Sequence, residues 1–288
     1  MTFASLLAAQ FFNGLVIGLI YILIAIGLSI IFGMLNIVNF AHGAFYAFGA
    51  YIGYTLALLL NNFWLALVFV PLAVGLLGIG IEVFFLRRMY GGEQVYQILL
   101  TFGLALIIQE IIIVIWGPVG KSIATPESLT GVANLWFFLF PKYRLFLIIF
   151  IGSVIVGAII FIAKTRFGAI IRAGTEHADM VNCLGIDLSK VFTAAFGVGA
   201  GLAGLAGILA IPMRGATPLM GDSILVLSFV VIVIGGMGSL KGAVLGGLII
   251  GIVQSMMTIV WPAGSNIMIF AAMAFIILTK PQGLMGIR

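Results

Sequence analysis

Nine apolar stretches separated by more polar connections, two of them long at 117–144 and 164–190, run along the chain at roughly residues 11–33, 39–60, 63–86, 95–116, 145–163, 191–213, 223–236, 242–261 and 266–279. Seven of them reach the ~17 to 25 residues a helix needs to cross hydrocarbon at ~1.5 Å per residue. The other two, 223–236 and 266–279, either borrow flanking residues such as Pro262 to Ser265 or form half-helices broken inside the bilayer. Backbone polar groups find no water in lipid, and a helix satisfies them within one segment. The pattern therefore predicts an all-α, polytopic integral membrane protein of about eight or nine spans, some of them discontinuous, in one transmembrane domain over residues 1–288.

Composition sharpens this picture. Of 288 residues, 64% are hydrophobic and 7% charged, against about a quarter charged in a soluble domain. A mean hydropathy of +1.34 leaves too little polar surface to face water. A large aqueous catalytic domain is excluded. Two His and one Cys (Cys183) build neither a thiolate zinc site nor a disulfide framework. The 13 Lys and Arg are scattered, with no basic run of the kind that binds nucleic acid. They report topology instead, because cytoplasmic loops collect basic residues. With Arg87 and Arg88 inside, alternation leaves only Lys121, Lys142, Arg144 and Arg214 outside, so the amino terminus is expected outside and the carboxyl terminus inside. Residues 1–10 lack the basic region of a cleavable signal, so the first stretch is expected to stay.

The outer connection contains Gly117-Pro118-Val119-Gly120-Lys121-Ser122, which ends like a phosphate loop but has Ile115 where that loop needs Gly. No ATP site, cofactor or metal is expected in this chain, and no nucleophile, base and orienting group stand at usable spacing.

The residues that cost most in lipid are the candidates for transport. Asn36, Asn39 and His42 lie between the first two spans. They either line a solute pathway or cap two helix ends, as short polar side chains do. His42 has no second ligand at i+3 or i+4 and is not read as a metal site. Glu110 lies six residues inside the outer end of span four without a basic residue in helical reach. It is either a proton relay, cation site or contact for a solute amine, or a protonated group bonded across a helix interface. Glu82 is expected to pair with Arg87 or Arg88. Gly197 and Gly201, then Gly238, Gly242 and Gly246, with Gly247 and Gly251 beside them, have the spacing of close helix packing, with pore lining as the other reading. The polar loop 164–190 holds Arg172, Glu176 and Asp179. A short helix capped by Thr175 and stopped at Gly185, with Val181 and Leu184 as an apolar face, suits docking of a partner. Ile31 to Ile37 and Ile234 to Leu240 echo each other weakly, as internal repeats in transporters do.

Phe32-Gly33-Met34-Leu35-Asn36-Ile37-Val38-Asn39-Phe40-Ala41-His42-Gly43, the stretch from Arg172-Ala173 through Glu176 to Gly185-Ile186, and Val233 to Gly242 with its Gly-Gly-Met-Gly-Ser core resemble the branched-chain amino acid permease family of bacterial ABC importers, the shorter of its two permease types. The resemblance covers essentially the whole chain. It implies a subunit of the inner membrane that works with a second related permease, two cytoplasmic ATPase subunits carrying ATP and Mg, and a periplasmic solute-binding protein. It also implies that 164–190 is the coupling loop gripped by an ATPase. It leaves the amino acid open, since related permeases carry other amino acids, amides and urea. The competing class is a proton- or ion-coupled secondary carrier or channel for small polar solutes, with Glu110 and His42 titrating.

Overall fold

A computed structural model describes residues 3–35, 38–90, 92–134, 138–176 and 178–286. Its helices are α1 (Phe3–Leu35), α2 (Ala41–Leu59), α3 (Phe63–Phe84), α4 (Gln94–Trp116), α5 (Lys142–Lys164), α6 (Arg166–Glu176), α7 (Ala178–Cys183), α8 (Leu188–Arg214), α9 (Met220–Gly235), α10 (Leu240–Val260) and α11 (Ser265–Thr279). Among the described residues seven segments are long and apolar enough to cross a membrane, and the chain is a multi-pass membrane protein.

Three departures from the hydropathy pattern have physical reasons. The stretch 266–279 reaches span length by adding the tight turn Pro262–Gly264, whereas α9 stays at 16 residues. At ~1.5 Å per residue α9 is ~24 Å long, short of the ~30 Å hydrocarbon core. Helix α2 is long enough but falls outside the apolar set, and 12 of its 19 residues are buried in protein. A helix shielded by its neighbours need not be apolar to sit in a membrane. The outer connection holds a small hairpin, β1 (Val132–Asn134) against antiparallel β2 (Leu139–Pro141), with Val132 opposite Pro141.

The chain divides into two compact units. One comprises residues 1–25, 124–156 and 227–288, the other 26–123 and 157–226. Glycine sets the approach of helices in both. In the second unit, a Cβ on Gly49 would lie 2.4 Å from the Gly204 Cα, and one on Gly207 would lie 2.2 Å from the Tyr46 carbonyl oxygen, so α2 and α8 meet backbone to backbone. Gly201 meets the Pro71 carbonyl oxygen at 2.8 Å and Gly197 meets Ile79, seating α8 on α3. In the first unit Gly242 abuts the Gly235 carbonyl and Gly246 that of Val231, while Gly247 and Gly251 carry α10 onto Ile22 and Gly18 of α1. Gly238 does not belong to this ladder. It sits in the turn before α10 with φ 81°, a left-handed conformation that a side chain resists, so packing begins at Gly242.

Polar clasps complete the first unit. The Tyr21 hydroxyl donates to Gln254 Oε1 at 2.8 Å, Ser255 Oγ to the Gln10 carbonyl at 2.7 Å, and Arg144 to Asn13. The final segment returns to α9, with Leu284 N–H on the Ile234 carbonyl and Met285 N–H on that of Gly235. Carbonyls left over at a helix end are thereby satisfied.

Candidate translocation and coupling sites

The α1–α2 junction is buried. Asn39 and His42 are both inaccessible to solvent. The Asn39 Oδ1 accepts the Ala41 N–H at 3.1 Å and its carbonyl accepts the His42 N–H at 3.3 Å, so this side chain does serve the start of α2. Its Nδ2 is a buried donor with no partner among the described residues. The buried Thr101 hydroxyl of α4 accepts the Phe40 N–H at 3.2 Å and donates to the Ile98 carbonyl at 3.0 Å, tying the junction to α4. The His42 ring lies against Gly27, where a Cβ would be 3.1 Å from Cε1, and stands edge-on to Phe45 with ring centres 6.5 Å apart. Asn36 lies outside the described residues. Among the described residues no group of three or more His, Cys, Asp or Glu is placed to hold a metal.

Glu82, near the end of α3, is fully buried and surrounded by donors. Arg87 reaches Oε2 at 3.2 Å and Oε1 at 3.4 Å, the Tyr90 hydroxyl donates to Oε1 at 2.7 Å, and the Thr193 hydroxyl of α8 to Oε2 at 2.6 Å. Arg87 also donates to Thr193. Burial, and then the hydrogen bond to the Glu82 carboxylate, push the Tyr90 phenol well above its usual range. Pairing with Arg87 follows from sequence proximity. Thr193 and Tyr90 do not: the signal at Thr193 is a hydroxyl inside an apolar run, and Tyr90 stands in the polar break after α3.

Glu110 is different. It is exposed on α4, and no hydrogen bond or ion pair within the described residues reaches it.

The polar loop folds as two helices rather than one. Thr165, not Thr175, caps its start, its Oγ1 accepting the Gly168 N–H at 3.2 Å, and Thr175 falls inside the last turn of α6. Arg172 is exposed and donates to the Ile162 carbonyl. Glu176 closes α6 and Asp179 lies in α7, while their side chains lie outside the described residues. Gly185, φ 77°, follows the end of α7 in the left-handed conformation that stops a helix. Val181 is buried and Leu184 is 77% exposed, so the two do not share one face. Met180 and Leu184 are the large apolar groups α7 and its exit offer to solvent. At the far end Asp187 caps α8 through the Ser189 N–H at 3.1 Å, and its hydrogen bond from Lys190 holds the carboxyl below the usual range.

A family model described as branched-chain amino acid transport system / permease component matches residues 10–278. The chain is 29% identical to the high-affinity branched-chain amino acid transport system permease protein BraD of Pseudomonas aeruginosa, over 96% of this chain and 95% of that protein. It is 27% identical to the corresponding permease protein LivH of Escherichia coli, over 96% and 94%. A second permease protein of that bacterium, LivM, matches at 25% over 93% of this chain and 68% of its own length. No solved structure matches.

Proposed function

This chain belongs to the family of branched-chain amino acid transport-system permease components, and from that membership we propose that it forms the translocation pathway of an ATP-driven importer for branched-chain or related amino acids. The observation that carries the reading is the match itself, which runs from α1 into α11. The chain is a transport subunit, and the chemistry of ATP and Mg belongs to two cytoplasmic ATPase subunits. A second, related permease and a periplasmic solute-binding protein complete the assembly in the bacterial inner membrane. The amino terminus lies outside and the carboxyl terminus inside, as the basic residues favour.

The pathway is assigned to the α1–α2 junction through Asn36, Asn39 and His42, and Glu110, exposed on α4, to a contact between subunits. The loop 164–190 is the coupling segment. Its exposed Met180 and Leu184, held beyond Arg172, Glu176 and Asp179, offer an apolar contact for an ATPase groove. Closure of the ATPases on ATP would move α6 and α7, and the contact of Gly174 with the Leu188 side chain, at 3.0 Å from a Cβ placed there, passes that movement to α8.

The test is reconstitution of the four kinds of subunit in proteoliposomes. Leucine uptake is expected to require ATP and binding protein. Glu176→Ala combined with Gly185→Val is expected to leave the assembly intact and to abolish uptake while ATP hydrolysis continues. Uptake that persists without ATP and collapses with the proton gradient would replace this reading by a secondary carrier.

A further inference from the structure

The unpaired carboxylate of Glu110 carries an inference about where the second permease sits. Helix α4 runs from Gln94 to Trp116, so Glu110 lies six residues from its outer end. At ~1.5 Å per residue that is ~9 Å inside. Ionisable groups at such depth face protein or a water-filled cavity rather than lipid. Among the described residues no hydrogen-bond or ion-pair partner reaches Glu110, and its side chain is exposed on α4.

Its surroundings are shaped to be covered. Leu99, Gly103, Ile107, Glu110 and Val114 recur at intervals of three and four, which aligns them on one face of α4. Leu99, Ile107 and Val114 are 66%, 56% and 76% exposed. One turn from Glu110, Leu99, Gly103 and Ile107 of this stripe line, with Phe85 and Met89, an open apolar groove of about 400 Å³. A Cβ at Gly103 would meet nothing within 4 Å among the described residues, so the space a side chain would take there is open.

Lipid fills such a groove but leaves the carboxylate without a donor. A soluble subunit does not reach this depth. A second copy meeting through the same stripe about a two-fold axis would bring Glu110 towards Glu110, like charge to like. We propose that this face of α4 is where the second, non-identical permease packs, through a membrane helix that sets a large apolar side chain over Gly103 and a hydrogen-bond donor or cation on Glu110. The inference rests on the permease-subunit reading above.

The experiment uses the full transporter in native membranes, with the photo-reactive residue p-benzoyl-phenylalanine placed at Ile107 or Val114 of α4, or at the equally exposed Ile149 or Val156 of α5. Adducts with the second permease are expected from the α4 positions and not from α5. Adducts from α4 confined to lipid, or formed with a second copy of this chain, would overturn the inference. In parallel, Gly103→Trp is expected to lower the second permease recovered with this chain by on the order of tenfold, and Glu110→Gln by about threefold, with the chain itself still present in membranes at its normal level. Unchanged recovery for both variants overturns it too. ATP-driven uptake by the wild-type preparation separates the two claims. If uptake is intact and α4 gives no permease adduct, this inference alone falls, whereas absence of both uptake and a second permease removes the subunit reading with it.

Discussion

Two carboxylates on consecutive helices of one unit meet opposite fates. Glu82 of α3 is buried and receives Arg87, Tyr90 and Thr193, and Glu110 of α4 is exposed and receives nothing from the described residues. Each is an acid in an apolar run, and the difference comes from what stands opposite. Helix α8 brings Thr193 against Glu82, and the turn Leu86–Met89 folds Arg87 back onto it, so this charge is settled within the fold. Among the described residues nothing bonds to Glu110. One carboxylate therefore holds a single subunit together, and the other marks where that subunit ends and its partner begins.

The largest test of this contrast is Glu82→Leu. It strands the Arg87 guanidinium beside Thr193, and removing one partner of a buried ion pair costs about 3 to 5 kcal/mol. Arg87 is about one-third exposed, 36% for its side chain, so the lower end is expected. Unfolding of the purified chain in detergent, followed by denaturant titration, should show a loss of about 3 kcal/mol. A loss below about 1 kcal/mol would mean that Glu82 is no more integral than Glu110. A smaller effect belongs to Thr193→Val, which keeps the shape and deletes the hydroxyl between the carboxylate and Arg87. Hydrogen bonds to charged groups contribute about 1.5 to 3 kcal/mol, and a loss near the lower value is expected in the same titration. Thr193→Ser should restore most of it. Failure of serine to rescue would assign the effect to methyl packing instead.

What the sequence makes legible follows from which interactions are local. Apolar runs of span length predict the helices because lipid leaves the backbone no other solution. Glycine spacing anticipates the close approach of α8 to α3 and of α10 to its neighbours, since i,i+4 positions share a face. Gly238 escapes that logic, because its spacing fits a ladder while its backbone is needed for a turn. Helix α2 reads as one more span, yet its distinguishing property is burial by other helices, which hydropathy does not encode. The polar loop reads as one helix from Thr175. Thr165 begins the helical run ten residues earlier, and either threonine is an acceptable cap until the fold chooses. Asn39 and His42 stand out in the sequence as polar residues among apolar ones. Thr101, which bonds to their junction from α4, carries no local mark that separates it from any other threonine in a span.

The smallest expected effect is the sharpest test of the comparison. Glu110→Gln preserves the length and shape of the side chain and removes its charge. If Glu110 took part in an internal network like that of Glu82, the isolated chain would lose stability on the scale expected for Thr193→Val. Because no described group bonds to it, the change in detergent should stay within about 0.5 kcal/mol, the range of a surface substitution. Detergent matters here, since a micelle lets water and headgroups reach a side chain ~9 Å from the helix end, which a bilayer core does not. The same variant in the assembled transporter is expected to loosen the second permease. A substitution silent in the subunit and costly in the complex is the behaviour of an interface residue, whereas a loss of 1 kcal/mol or more in the isolated chain would place Glu110 with Glu82 as part of the subunit's own core.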